Sequence, residues 1–225
     1  MDYAGRNGAE TACICEGEPS YPGGLKTCLG DQAPPSVTGI GEVGMLGQPK
    51  LAFFCSTRCP GSLILRTYDL AQLLRQSPLA VVGGFHTPME QECLAVLLRG
   101  PEPVILCPAR NVERLRLPAE HREPLRQGRL LILSGFGEGE SRVTAETAAV
   151  RNRFVAALAD ALFVAHAAPG GRTEEVCREA IAWGKGLYTF EDRANENLLV
   201  MGAVAVEPGM FLKGLPDVNA VGVEV

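Results

Sequence analysis

The sequence predicts an α/β fold, a doubly wound and mostly parallel sheet with helices on both faces. Three observations carry the prediction. From Lys50 onward six apolar runs recur: LAFFC (51–55), LAVVGG (79–84), PVILC (103–107), RLLIL (129–133), ALFVAH (161–166) and GLYTF (186–190). Uninterrupted apolar runs of this length suit strands buried on both faces, which parallel sheets produce and half-solvated antiparallel sheets do not. Between the runs lie stretches with helical spacing, and a strand–helix–strand alternation closes only as parallel crossover units. Finally, 225 residues with 46% hydrophobic and 21% charged side chains are enough to bury one large core of ordinary composition.

Taken in order, residues 1–48 are rich in Gly and Pro with little periodicity, and are expected to form an irregular segment packed against the outside of a main domain spanning 49–225. Within that domain helices are expected at 62–76, 88–99, 119–128, 144–159 and 172–184, each following one of the apolar runs. The tail from Val204 to Val225 alternates short apolar pieces with EPG and GLPD and offers one candidate edge strand. No internal repeat or low-complexity tract interrupts the pattern.

Charge narrows the function. The formal net charge is −5, from 21 basic against 26 acidic residues, which argues against a surface coated in cations for indiscriminate nucleic-acid binding. Any phosphate contact must be local. Seventeen of the 21 basic residues are Arg and only Lys26, Lys50, Lys185 and Lys213 are Lys, and Arg suits planar, bidentate contact with phosphate. No apolar run approaches the roughly 20 residues needed to cross a bilayer, and the start lacks a basic stretch followed by an apolar one. A cytoplasmic protein without a membrane partner is expected.

Eight cysteines in such a chain read as thiols or metal ligands in preference to a disulfide framework. Cys13, Cys15, Cys28, Cys55 and Cys59 crowd the first 59 residues, but CxC and CxxxC are looser than the paired clusters zinc prefers, and no bound metal is expected. No GxGxxG or Walker sequence is present, so no dinucleotide or triphosphate cofactor is expected either.

In a doubly wound sheet the ligand crevice lies beyond the carboxyl ends of the strands. The residues found there are Ser56, Thr57 and Arg58 after the first run, Gly83 and Gly84 at the end of the second, Arg110 after the third, and Gly170, Gly171, Arg172 and Thr173 after the fifth. Hydroxyls, glycines and arginines at one edge suit an anion, because free N–H groups at helix N-termini favour negative charge. His86 and His166 also follow strands, where a histidine more often hydrogen-bonds a loop than catalyses, and Glu174 and Glu175 open a helix whose dipole already favours them.

Arg151-Asn152-Arg153 adds two more cations. If a helix runs through it, Val150, Phe154, Ala157 and Leu158 form the buried stripe, and the arginines lie about 200° apart at ~100° per residue, too far round to grip one phosphate. If the helix begins near Asn152, both arginines reach one side.

The stretch from YPGGLKTCLGDQAPP (21–35) to MGA (201–203) resembles the DNA-processing protein DprA family, also called Smf. RNRFVAALADALFVAHAA matches the family's Arg-Asn-Arg helix and following strand without a gap. Elsewhere the chain departs from the pattern. Cys55 stands in place of a Gly and Arg58 one residue late in the first loop, and Thr87, Pro88 and Leu94 replace the family's Arg, Gly and His in the second, which keeps Gly84 and an acid at Glu90. The resemblance implies an extended Rossmann-like domain that binds single-stranded DNA without catalysis, helps load a RecA-type recombinase and forms a homodimer. It also implies roles in DNA recombination and natural transformation, with Arg151, Asn152 and Arg153 among the phosphate-binding residues. PGGRTEE is in addition similar to the Pro-Gly-Gly motif of the LOG nucleotide phosphoribohydrolases, which implies a nucleotide hydrolase instead. A degenerate domain serving as an interaction scaffold is the third reading.

Overall fold

The computed structural model describes residues 11–112, 115–137 and 139–209. Its strands are β1 (Thr11–Cys15), β2 (Ser36–Ile40), β3 (Lys50–Cys55), β4 (Ala80–Gly83), β5 (Val104–Leu106), β6 (Leu130–Ser134), β7 (Ala161–His166), β8 (Gly186–Thr189) and β9 (Val204–Ala205). The helices are α1 (Gly23–Leu29), α2 (Gly61–Leu74), α3 (Pro88–Leu97), α4 (Ala119–Arg126), α5 (Ala145–Leu158), α6 (Arg172–Ala182) and α7 (Glu196–Val200). Among the described residues the strands form one nine-stranded sheet in the order β1-β2-β6-β5-β4-β3-β7-β8-β9. The seven strands from β6 to β9 in that order pair in parallel, and β2 and β1 close the edge in antiparallel fashion.

All six expected strands and five expected helices form, within one or two residues of the apolar runs at most ends. The alternation inside β3 shows why both faces must be apolar. Ala52 and Phe54 join one core with Leu25 of α1, Val155 of α5 and Cys177 of α6, whereas Leu51, Phe53 and Cys55 join the other with Leu70 of α2, Met89 of α3 and Leu125 of α4. Phe163 of β7 lies between Phe53 and Phe190, with ring centroids at 5.7 and 5.0 Å. Two cores on opposite faces of one sheet define a three-layer sandwich.

The N-terminal expectation is corrected. Residues 11–40 supply a strand, a helix and a strand, and they extend the sheet where an irregular outer cover was expected. The sequence signal is weak for a physical reason. β1 buries only Ile14, and β2 carries Gly39, where a Cβ would stand 3.2 Å from Val43 and 3.3 Å from Leu131. α1 packs on α5 so closely that a Cβ on Gly24 would lie 2.9 Å from the Ala157 carbonyl. The Tyr21 hydroxyl donates to Pro34 O at 2.6 Å and ties the loop between α1 and β2. The tail's edge strand is β9, paired with β8; residues 210–225 lie outside the described residues.

Chain order reverses between β3 and β7: β4, β5 and β6 build to one side and β7, β8 and β9 to the other. Such a switch point splays the loops at the strands' carboxyl ends and opens a crevice there. Among the described residues no helix is long and apolar enough to cross a membrane.

Candidate functional site

The loops after β3 and β7 meet at the switch point. Ser56 N donates to His166 O at 2.8 Å, Ala168 N donates to Ser56 Oγ at 3.0 Å, and Ser56 Oγ lies 3.3 Å from Thr173 Oγ1. These bonds hold the first turn of α6 against the β3 loop. Thr57 and Arg58 project from it, exposed. Arg172, also exposed, reaches across to donate to Ala145 O at the start of α5, at 2.8 Å. The structure therefore brings Ser56, Thr57, Arg58, Gly170, Gly171, Arg172 and Thr173 to one mouth.

Part of that mouth is filled from within. Gly170, at φ +67°, donates its N–H to the buried carboxylate of Glu174, which also takes 2.9 Å donation from Arg178. Gly171 N donates to Ala168 O at 2.9 Å. Two backbone donors of the Gly-Gly turn thus have internal acceptors, and the cations Arg58 and Arg172 dominate what the mouth offers to an anion.

A second cluster is buried one strand away. Glu90, only 2% exposed, accepts from Cys55 N at 3.0 Å, His86 N at 3.0 Å and Thr87 N at 3.3 Å, while Glu90 N donates to Thr87 Oγ1. The last two bonds form a capping box that starts α3 after Thr87. Facing this carboxylate is Arg151, also 2% exposed. Its Nε donates to Asn152 Oδ1 at 2.8 Å, Nη1 to Cys107 O at 3.1 Å and Nη2 to His86 Nδ1 at 2.8 Å. Burial pulls the guanidinium below its ordinary pKa while the Glu90 charge opposes the shift. A Cβ on Gly84 would fall 1.7 Å from Arg151 Nη1, so the glycine is what lets the guanidinium lie on the β4 backbone. Cys107, wholly enclosed, is pushed up to about 12 by burial.

The two readings of Arg-Asn-Arg are thereby resolved. α5 runs straight through it, and the arginines diverge. Arg153 pairs with Glu179 of α6 and hydrogen-bonds Gln32, on the side away from the buried cluster. The expected stripe needs one correction. Val150 is 55% exposed, because α1 and α6 enclose the rest of the helix and leave Glu146, Val150 and Arg153 on its wet arc. Arg110 is half-buried in the loop after β5, two strands from β3. Its carbonyl accepts from Ser134 Oγ at 2.8 Å.

The remaining candidates separate. Gly83 is buried in β4, packed under Phe85. His166 is buried, with Nδ1 3.0 Å from Asn195 Oδ1, and acts as a loop tie. Cys13 and Cys15 sit exposed on β1 at the sheet edge, with Cys28 on α1, whereas Cys55 and Cys59 flank the switch-point loop. Five strand spacings, about 24 Å, part β1 from β3, so these five thiols do not converge. The Cys55 thiol hydrogen-bonds Cys59, lowering the Cys59 pKa and raising that of Cys55. Sequence reasoning placed Glu90 only by resemblance; the Thr87-x-x-Glu90 spacing was the readable signal, and it announces the helix cap but not the reach to Cys55.

The model of the family described as DNA recombination-mediator protein A matches residues 12–206. The chain belongs to this family. The match takes in β2 and all seven parallel strands, and therefore both clusters just described. Among solved structures, DNA processing protein A (DprA) from Streptococcus pneumoniae superposes with a TM-score of 0.74 at 21% identity, covering 88% of this chain and 72% of that one. DprA from Helicobacter pylori, a protein with a single-stranded DNA binding mode, gives a TM-score of 0.74 at 19% identity, covering 92% and 96%. A molybdenum cofactor binding protein from Rippkaea orientalis shares the fold more distantly, with a TM-score of 0.53 at 12% identity over 74% of this chain and 94% of that one. No curated protein matches the chain by sequence.

Proposed function

We propose that this chain binds single-stranded DNA through its phosphates at the switch-point mouth, without catalysing a reaction, and passes the strand to a RecA-type recombinase. The observation that carries the reading is the pair Arg58 and Arg172, exposed on either side of the mouth and outside any salt bridge among the described residues. In a chain of net charge −5 that is a local electrostatic footprint. Ser56, Thr57, Gly170, Gly171 and Thr173 line the same opening, and Arg110 continues the track over the ends of β4 and β5. Arg151 and Asn152 support the wall from inside, with Gly84 making room for the Arg151 guanidinium and Gly83 for the Phe85 ring, and Arg153 lies off the track. Phosphates carry no base information, so binding through them is indifferent to sequence.

The role extends to DNA uptake and natural transformation, in the cytoplasm and as a homodimer. An apolar stripe on α2, with Ile64, Leu65 and Tyr68 exposed, supports a self-association surface. Titration of a fluorescent oligonucleotide beside an AMP-hydrolysis assay tests the proposal. Binding without hydrolysis is expected. Turnover of the monophosphate with little oligonucleotide affinity would replace it with the phosphoribohydrolase reading, and neither activity would leave the interaction scaffold.

A further inference from the structure

We infer that His86 is a fixed, uncharged hydrogen-bond donor of the DNA-binding mouth, held in one tautomer by the buried Arg151. The inference rests on the single-stranded DNA reading but uses a residue outside the cationic pair.

His86 lies in the loop after β4, one strand from Ser56, and its side chain is half exposed. Arg151 Nη2 stands 2.8 Å from His86 Nδ1. A guanidinium nitrogen can only donate, so Nδ1 must present its lone pair. Glu90 Oε2 lies 3.3 Å from the same nitrogen, but it already accepts the N–H groups of His86 and Thr87. The proton of the neutral ring therefore sits on Nε2, which has no protein partner among the described residues.

Three further features hold this pose. Phe85 is buried at φ +45°, a conformation a bulky side chain adopts only when its surroundings fix it. The His86 N–H is tied to Glu90 at 3.0 Å. Gly84 clears the space through which the guanidinium reaches the ring. Two buried charges and a strained residue thus converge on presenting one outward N–H. Its partner is an acceptor oxygen, which at this mouth is a non-bridging phosphate oxygen of the bound strand.

A neutral donor has a signature that a cation lacks. It strengthens binding but releases no counterion, so it leaves the salt dependence alone. His86→Asn keeps an acceptor for Arg151 at the Nδ1 position but removes the outward donor, whereas His86→Gln places an amide N–H where Nε2 was. Anisotropy titrations of a labelled oligothymidylate at several salt concentrations should show affinity lowered at least about 10-fold in His86→Asn, the size of one hydrogen bond to a charged acceptor, and largely retained in His86→Gln. The slope of log affinity against log salt should match wild type in both. Unchanged affinity in His86→Asn, or a slope shallower by about 0.7, would overturn the inference. Long-range 1H–15N spectra of the unliganded protein separate this outcome from failure of the DNA reading. They should show an unprotonated Nδ1 beside a protonated Nε2; an Nδ1–H tautomer or an imidazolium at neutral pH would overturn the lock itself. If wild type binds no oligonucleotide, the DNA reading fails and the proposed contact with it, while those spectra still decide whether Arg151 sets the tautomer.

Discussion

Gly84→Ala probes the buried cluster with one methyl group. The backbone at Gly84 is outside the left-handed region, so alanine meets no conformational penalty there. Its Cβ would instead lie 1.7, 2.0 and 2.6 Å from Nη1, Cζ and Nε of Arg151. The guanidinium must move, and it cannot do so cheaply although it is the end of a long side chain. Moving it breaks three hydrogen bonds, to Asn152, Cys107 and His86, and takes the compensating cation from Glu90, which stays 2% exposed. Three buried hydrogen bonds from a charged donor, at upward of about 1 kcal/mol each, amount to about 3–5 kcal/mol. For a chain of this size ~1 kcal/mol moves Tm by about 2–4 °C, so a fall of roughly 6–20 °C is expected. Urea denaturation and thermal melting measure it, with Gly61→Ala as control, since nothing lies within 4 Å of a Cβ there. In an Arg151→Ala background the same Gly84→Ala change should cost less than about 1 kcal/mol, because the clash is gone. A cost below about 1 kcal/mol in wild type, or an undiminished cost in that background, would refute the reasoning.

Further outcomes follow from other sites. His121 is partly buried with Nδ1 unpartnered, and burial lowers its pKa from 6.5, so the unfolded chain takes up the proton first. Stability should therefore be full above pH 6.5 and fall as the pH drops below it toward the folded value; urea midpoints of wild type and His121→Gln across this range should converge at higher pH and separate in acid. Among the thiols, Cys59 should alkylate faster per exposed area than Cys15, whose pKa is raised, while Cys107 and Cys177, both pushed up to about 12 by burial, stay unmodified until unfolding. Mass spectrometry after brief iodoacetamide treatment reads the order, and early labelling of Cys107 would contradict the burial given for it. Arg153→Ala breaks a half-exposed pair with Glu179 and should cost no more than about 1 kcal/mol in urea denaturation; a loss comparable to Gly84→Ala would mean that the two arginines are not separated as described.

What the sequence disclosed was the part written in apolar runs. Strands such as LLILS and ALFVAH are buried at nearly every position, and no surface pattern competes with that signal. β1 was illegible because an edge strand needs few apolar residues and takes its place from the partner it pairs with, and β2 because its five residues, SVTGI, are too short and too mixed to read as an apolar run. The mouth was legible as a set of loops, since the switch-point rule sends attention to the strand ends. The direction of each arginine was not. Arg is among the least buried residue types, and only the packing of α5 against β3 and β4 reveals that Arg151 turns inward while Arg153 turns toward α6. Gly84 was visible as a turn glycine, but its reason lies 67 residues away in Arg151.

The salt dependence of oligonucleotide binding tests the central claim most directly. Three phosphate contacts, from Arg58, Arg110 and Arg172, at about −0.7 each give a slope of log affinity against log salt near −2 for a single strand. Removing Arg58 and Arg172 together should make that slope shallower by about 1.4 and weaken binding to every sequence alike, with Arg153→Ala leaving it unchanged. The titration belongs at low salt, where screening is least. Absence of binding even there, or a slope that survives loss of both mouth arginines, would contradict a single-stranded DNA site at the switch point.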